Sequence, residues 1–302
     1  MSHIVEQGEN AFYLSNRKIK ICGKTIDWFK YGREFFVGGY PKTYREKITE
    51  DEPVVCSDEE ILRRNKNRAR KNLIDYVNCN SSEWIRDDGW PFKPIFITLT
   101  FADNIQDITW ANREFSKFIQ RFNTMVYGRQ KTYLRYLGVI EFQKRGAIHY
   151  HIMFFNLPFI ENIKEKLTNI WQFGFFDVKA LDRVKSTAKY MGKYFYKSFD
   201  NRNEKNKKSY FISRGLKKPR VVYFEELVDR VLDMLPLDSM EVYKADVPVD
   251  YMISMDYRQY NLKNFPDVFK EVIDFIDKYL YDINNGDFPP PEPEKIYSLP
   301  DF

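Results

Sequence analysis

Between Ile95 and Lys179 the hydrophobic period switches repeatedly between two values, and this alternation restricts the fold more than any other feature of the chain. Ile95-Phe-Ile-Thr-Leu-Thr-Phe101 alternates with period 2, the mark of a strand. Ile95, Ile97, Leu99 and Phe101 share one face; Phe96, Thr98 and Thr100 share the other. Phe115, Phe118, Ile119, Phe122 and Val126 then recur at helical spacing, which predicts a helix over roughly 110–127. Tyr133–Phe142 and Ala147–Phe155 read as two more strands, joined by a turn at Lys144-Arg-Gly146. Ile163, Leu167, Ile170 and Trp171 mark a second helix, Gly174 breaks it, and Phe175–Lys179 is a fourth strand.

The order β-α-β-β-α-β predicts an α+β domain of ferredoxin-like type: an antiparallel sheet with both helices on one face and the other face free. Its first and third strands lie in the middle. Ile148, Tyr150, Ile152 and Phe154 are then expected to face the helices, and His149 and His151 the open face, together with Thr98 and Thr100. The chain has three histidines, so two of them stand here, two residues apart. Imidazole is the commonest metal ligand, and Glu141 at the end of the preceding strand could add a third donor, with Gln143 as a fallback. An isolated His-x-His reads equally well as a half-buried polar stripe.

A further helix is predicted from Arg183 to about Phe199. Val184, Ala188, Met191 and Phe195 fall on one side of it, and Tyr190, Lys193, Tyr194 and Lys197 on another. Such tyrosines are commonly boundary residues of an amphipathic surface helix. Upstream, Ser57-Asp-Glu-Glu60 is a capping box that opens a basic helix to about Val77, with six cations in residues 61–72. Residues 1–45 suggest short strands or irregular packing. Residues 210–220 read as a short aromatic segment and a basic loop. Helices are predicted around 224–235 and 268–280, the latter opened by Pro266, before a Pro-rich acidic tail. The linear division expected is 1–90, an accessory region with the basic helix; 91–200, the core; 201–285, a basic loop and acidic helical region; and 286–302, the tail.

The formal charge of +5 is uneven. Residues 185–220 hold twelve Lys/Arg against two acids, whereas 221–302 hold seven against eighteen. A concentrated basic segment points to a localised polyanion-binding surface or, more plainly, to a solvated lysine-rich loop. Cys22, Cys56 and Cys79 form no Cys-x-x-Cys pair, which argues against a disulfide framework or a structural zinc site and suggests a reducing, cytoplasmic setting. No apolar run long enough for a membrane span and no signal-peptide pattern is present.

Three stretches, in this order, resemble the motifs of HUH endonucleases that initiate rolling-circle replication. Phe96-Ile-Thr-Leu-Thr-Phe101 looks like the first motif. Gly146-Ala-Ile-His-Tyr-His-Ile-Met is similar to the second, and Tyr190-Met-Gly-Lys-Tyr-Phe-Tyr-Lys197 resembles the third in its two-tyrosine form, found in initiators of small single-stranded DNA phages and related plasmids. Gly192 occupies a variable position of that motif. The resemblance covers roughly residues 92–200.

What it implies is a sequence-specific nicking and joining of single-stranded origin DNA through a 5′-phosphotyrosine. Tyr190 and Tyr194 would be nucleophiles, with Lys193 or Lys197 favouring the phenolate or holding a phosphate, and Tyr196 facing elsewhere. His149, His151 and Glu141 would hold Mg²⁺ or Mn²⁺. DNA contacts are expected from Thr98, Thr100, Lys144, Arg145, Arg214, Lys217, Lys218 and Arg220. With no phosphate-binding Gly-x-x-x-x-Gly-Lys-[Ser/Thr] loop in the chain, a host helicase and DNA polymerase are the expected partners, and no membrane. The competing readings are a two-tyrosine HUH transposase and a non-catalytic nucleic-acid-binding module.

Overall fold

Period-2 and period-3.6 segments become strands and helices where the alternation requires them. The computed structural model describes residues 4–7, 10–37, 57–128, 133–143, 145–181, 187–200, 210–235, 241–247 and 254–284. It is a mixed α+β protein with two antiparallel sheets and six helices among those residues. Chain contacts divide it into two units, Cys56–Pro219 and Met1–Val55 together with Arg220–Phe302. That grouping differs from the linear division at 90, 200 and 285, because strands from both ends of the sequence build one sheet.

The Cys56–Pro219 unit contains α1 (Asp58–Asn80), β4 (Ile95–Phe101), α2 (Ile108–Tyr127), β5 (Tyr136–Phe142), β6 (Ile148–Phe154), α3 (Ile163–Ile170), β7 (Gly174–Ala180), α4 (Thr187–Asp200) and β8 (Tyr210–Ile212). Its sheet runs β7-β4-β6-β5-β8, with every pairing antiparallel. The strand and helix order expected between Ile95 and Lys179 is therefore present, and the first and third of those four strands are inside. Asp107 caps α2 by accepting the Thr109 backbone N–H at 2.8 Å, and Gly128 ends it at φ 59°. Ile97, Leu99, Ile148, Tyr150, Ile152 and Phe154 pack against Phe115, Phe118 and Phe122 of α2 and Leu167 of α3. Each such side chain contributes about 1.5–3 kcal/mol by leaving water.

The opposite face is not free. Phe96, Leu137, Val139, Met153 and Phe155 lie on it, and Leu73 and Val77 of α1 with Ala188 and Met191 of α4 cover them. Apolar residues alternate with the polar row on this face too, so leaving it bare would expose a large hydrophobic patch. Ser57 caps α1 as its capping box predicts, accepting the Glu60 N–H at 3.2 Å, and α1 packs along α4. The structure also adds β8, which pairs with β5. Gly138 leaves room there for the Phe211 ring, which would lie 2.2 Å from a Cβ at that position.

The second unit comprises β1 (Ile4–Gln7), β2 (Asn10–Cys22), β3 (Thr25–Val37), β9 (Arg220–Val222), α5 (Glu225–Met234), β10 (Glu241–Val247), β11 (Met255–Asn261) and α6 (Pro266–Asn284). In place of short strands, β2 and β3 are each 13 residues long and turn at Gly23, φ 57°. The sheet order is β1-β2-β3-β11-β10, with β9 also on β2. Ile19, Ile26, Trp28 and Tyr260 on one face bury against Leu227 and Val231 of α5 and Val272 and Ile276 of α6. Pro266 opens α6, as predicted. The Pro-rich tail lies outside the described residues.

Candidate active site

Register alone brings the polar residues together. Thr98 of β4 lies opposite His151 of β6, and Thr100 opposite His149. On the other side of β6, Glu141 of β5 lies opposite His149. The Thr98 hydroxyl is 3.1 Å from His151 Nδ1, and the Thr100 hydroxyl is 3.4 Å from His149 Nδ1. Both threonines, expected as DNA contacts, thus engage the inner ring nitrogens and orient the imidazoles. His151 Nε2 meets Glu141 Oε2 at 2.5 Å. His149 and His151 are 8% and 5% exposed, so they sit in a closed site and not on an open face.

α4 supplies the other wall. Tyr194 lies with its ring centroid 4.1 Å from that of His151, and the Tyr190 and Tyr194 hydroxyls are 3.3 Å apart. Phe96 is the packing centre that sequence reading missed: its ring is 5.8 Å from His151, 5.0 Å from Tyr190 and 4.9 Å from Tyr194. Its membership of the Thr98/Thr100 face was the available signal. Asp177 and Lys179 of β7 lie opposite Thr98 and Phe96 and pair with each other at 2.7 Å. They border the same face and were likewise not singled out. One helix residue permits a direct test of local packing: a Cβ at Gly192 would meet no atom within 4 Å. Gly192→Ala is expected to stabilise the protein by about 0.5–1 kcal/mol, read as a shift in denaturant midpoint.

Electrostatics departs from expectation at the tyrosines. Burial pushes the Tyr194 phenol well above its ordinary range, helped by its hydrogen bond with Tyr190 and the charges of Glu141 and Asp177. Lys193 is exposed and does not offset this, and the Lys197 and Tyr196 side chains lie outside the described residues. Burial also lowers the His149 pKa, with repulsion from His151 and Arg145 acting the same way against the attraction of Glu141. His149 is accordingly a neutral donor at pH 7, the state a metal ligand needs.

The remaining candidates are dispersed. Strand β5 ends at Phe142, and Gln143 instead accepts the Arg145 Nε–H at 3.1 Å. Lys144 lies outside the described residues. Lys217 bridges to Glu83 at 3.0 Å, and its backbone is held by Asn80 of α1. Arg214 and Lys218 are exposed. Arg220 belongs to the other unit, where it pairs with Asp277 at 2.5 Å.

Among the described residues, no three His, Cys, Asp or Glu stand ready as a metal-holding group. The reason is local: Glu141 spends an oxygen on His151. Yet His149 Nε2 is buried without a hydrogen-bond partner in this structure, which leaves one strong ligand atom unsatisfied at the heart of the cluster. Two imidazoles and a carboxylate on adjoining strands fit a divalent cation, provided that Glu141 turns from His151 toward it.

Residues 94–199 match the family model of the ORF2-type Replication-associated protein. This segment belongs to that family, one of phage rolling-circle replication initiators. No curated protein sequence and no solved structure matches the chain. The family match spans β4 to α4 and so contains the histidines, Glu141 and both tyrosines. No helix among the described residues is long and apolar enough to cross a membrane.

Proposed function

We propose that this replication-associated domain is an HUH-type endonuclease on a ferredoxin-like sheet, nicking and rejoining single-stranded DNA at a replication origin. The observation that carries the reading is the placement of Tyr194 against His151, with the Tyr190 hydroxyl beside that of Tyr194. Two candidate nucleophiles thus share one pocket with two imidazoles and a carboxylate. The match to replication-associated proteins favours an origin over a transposon end.

His149, His151 and Glu141 would hold Mg²⁺ or Mn²⁺. When bound, such an ion supplies Lewis-acid polarisation of the scissile phosphate. Thr98 and Thr100 fix the imidazoles by engaging Nδ1, so that Nε2 points into the site. One phenol oxygen, from Tyr190 or Tyr194, bonds to phosphorus as the bond from phosphorus to the 3′-oxygen breaks. The phenol proton leaves and the 3′-oxygen gains one, giving a 5′-phosphotyrosine and a free 3′-OH. One phosphodiester replaces another, so the reverse attack by a 3′-OH rejoins strands without ATP. The second tyrosine can take the next cut while the first still holds its strand. The free 3′-OH is a primer for a DNA polymerase, with a helicase to open the duplex ahead of it.

The test is incubation of the full chain with a pool of single-stranded phage-type origin fragments and Mn²⁺, followed by mapping of the DNA end attached to protein. A protein-linked 5′ end is expected; nicking that leaves no attached DNA would sink the proposal. His149→Ala and His151→Ala are each expected to lower nicking at least about a hundredfold while retaining DNA binding within a few-fold. Anisotropy alongside a cleavage gel separates the two effects.

A further inference from the structure

The strongest feature outside this pocket is the second face of the other sheet, the face turned away from α5 and α6. Register lays its side chains out in rows. Tyr243, Gln259, Asp27, Lys20 and Val221 form one row across β10, β11, β3, β2 and β9. Tyr257, Phe29 and Lys18 form the next, and Tyr31 follows beside Phe29. At the two ends of the first row, Tyr243 and Val221 are 56% and 38% exposed. The face is therefore open at both margins.

Its rings are arranged in contact with one another. Phe29 and Tyr31 are parallel at 6.3 Å, Phe29 and Tyr257 lie 5.0 Å apart, and Tyr243 continues the series 5.8 Å from Tyr257. The Lys18 ammonium sits over Phe29, Tyr31 and Tyr223 at 5.0, 5.2 and 5.9 Å. Asp27 on this face is neutralised by Lys20 at 3.0 Å and accepts hydrogen bonds from Tyr257 and Gln259. The acid within these rows is thus matched in charge and does not repel a polyanion.

We infer that this aromatic face is a second binding site, for single-stranded DNA. Tyrosine rings in series on a sheet give bases flat surfaces to stack on, and an ammonium among them attracts the phosphates between those bases. A protein partner of the apolar kind would call for aliphatic side chains where this face carries phenols and a lysine. The inference rests on the proposed action on single-stranded DNA. It adds that the chain holds the strand at a site separate from the one that cuts it.

The test uses the full chain carrying Tyr190→Phe and Tyr194→Phe, so that binding is read without cleavage. Anisotropy with labelled oligothymidine is compared for the unaltered face, for Tyr31→Leu with Tyr257→Leu, and for Tyr31→Phe with Tyr257→Phe. The Leu pair is expected to weaken binding about fivefold to a hundredfold per ring, while the Phe pair keeps it. Lys18→Gln is expected to lower the salt dependence of binding. Unchanged affinity in the Leu pair, equal loss in the Phe pair, or a loss of self-association with DNA binding intact would each overturn the inference. The adduct assay on the protein with both tyrosines present reports separately on the cutting site, so either reading can fail alone.

Discussion

With Tyr190 and Tyr194 both replaced by Phe, the covalent protein–DNA product is expected to fall at least about a thousandfold, below detection on a denaturing gel. The phenol oxygens are the atoms removed, and the rings that pack on Phe96 and His151 remain. Folding is therefore conserved, and melting within a few degrees of the parent protein is the control. A covalent product that survived the double substitution would place the nucleophile elsewhere. The single variants carry more detail. Tyr194 is held above the ordinary phenol range by burial, its bond with Tyr190 and the nearby carboxylates. A raised phenol pKa means a smaller phenolate fraction at any given pH. Nicking by the Tyr190→Phe protein is thus expected to keep rising as pH increases through the usual phenol range, and a plateau near neutrality would contradict the assignment. The same shift fixes a sign for stability. The unfolded chain releases this proton first, so stability is unaffected below about pH 10 and declines above it.

Much of this site was legible in the sequence because it depends on local periods. Period 2 sets His149 and His151 on one face and, through the neighbouring strand, adds Thr98 and Thr100. A spacing of four puts Tyr190 and Tyr194 one helical turn apart. What remained hidden depends on partners distant in sequence. Nothing local says that Leu73 and Val77, in a helix rich in Arg and Lys, cover the face bearing the histidines. A basic amphipathic helix looks like a solvated one until its few apolar residues find a surface. The environment of Tyr194 is hidden for the same reason, since Glu141 and Asp177 come from β5 and β7.

In the other unit the limit is sharper. β3 pairs with β11 from Thr25↔Asn261 to Tyr31↔Met255, joining residues more than two hundred positions apart. Alternation within each segment identifies a strand; it carries no address for the partner. The helices α5 and α6 were readable from their own periods, but which sheet they would cover was not.

The tightest backbone approach in the histidine-bearing sheet predicts the largest structural effect. Gly174 begins β7 at φ 153°, a conformation that L side chains rarely adopt. A Cβ there would lie 2.4 Å from both the Thr100 carbonyl oxygen and the Ala102 nitrogen. Those are main-chain atoms, and the Thr100 carbonyl also accepts the Trp171 indole N–H at 3.2 Å. No rotamer change can relieve such a contact; β4 and β7 would have to separate. Gly174→Ala is expected to cost about 3 kcal/mol or more, combining backbone strain with overpacking. Against a typical domain stability of roughly 5–15 kcal/mol, that is a large fraction. Urea denaturation should show a midpoint shift opposite in sign to that of Gly192→Ala, which meets open space. Nicking should fall as well, because the strand forced aside is the one whose Thr100 hydroxyl orients His149. A Gly174→Ala protein with the parent's stability would mean that β7 does not enter the sheet at this register.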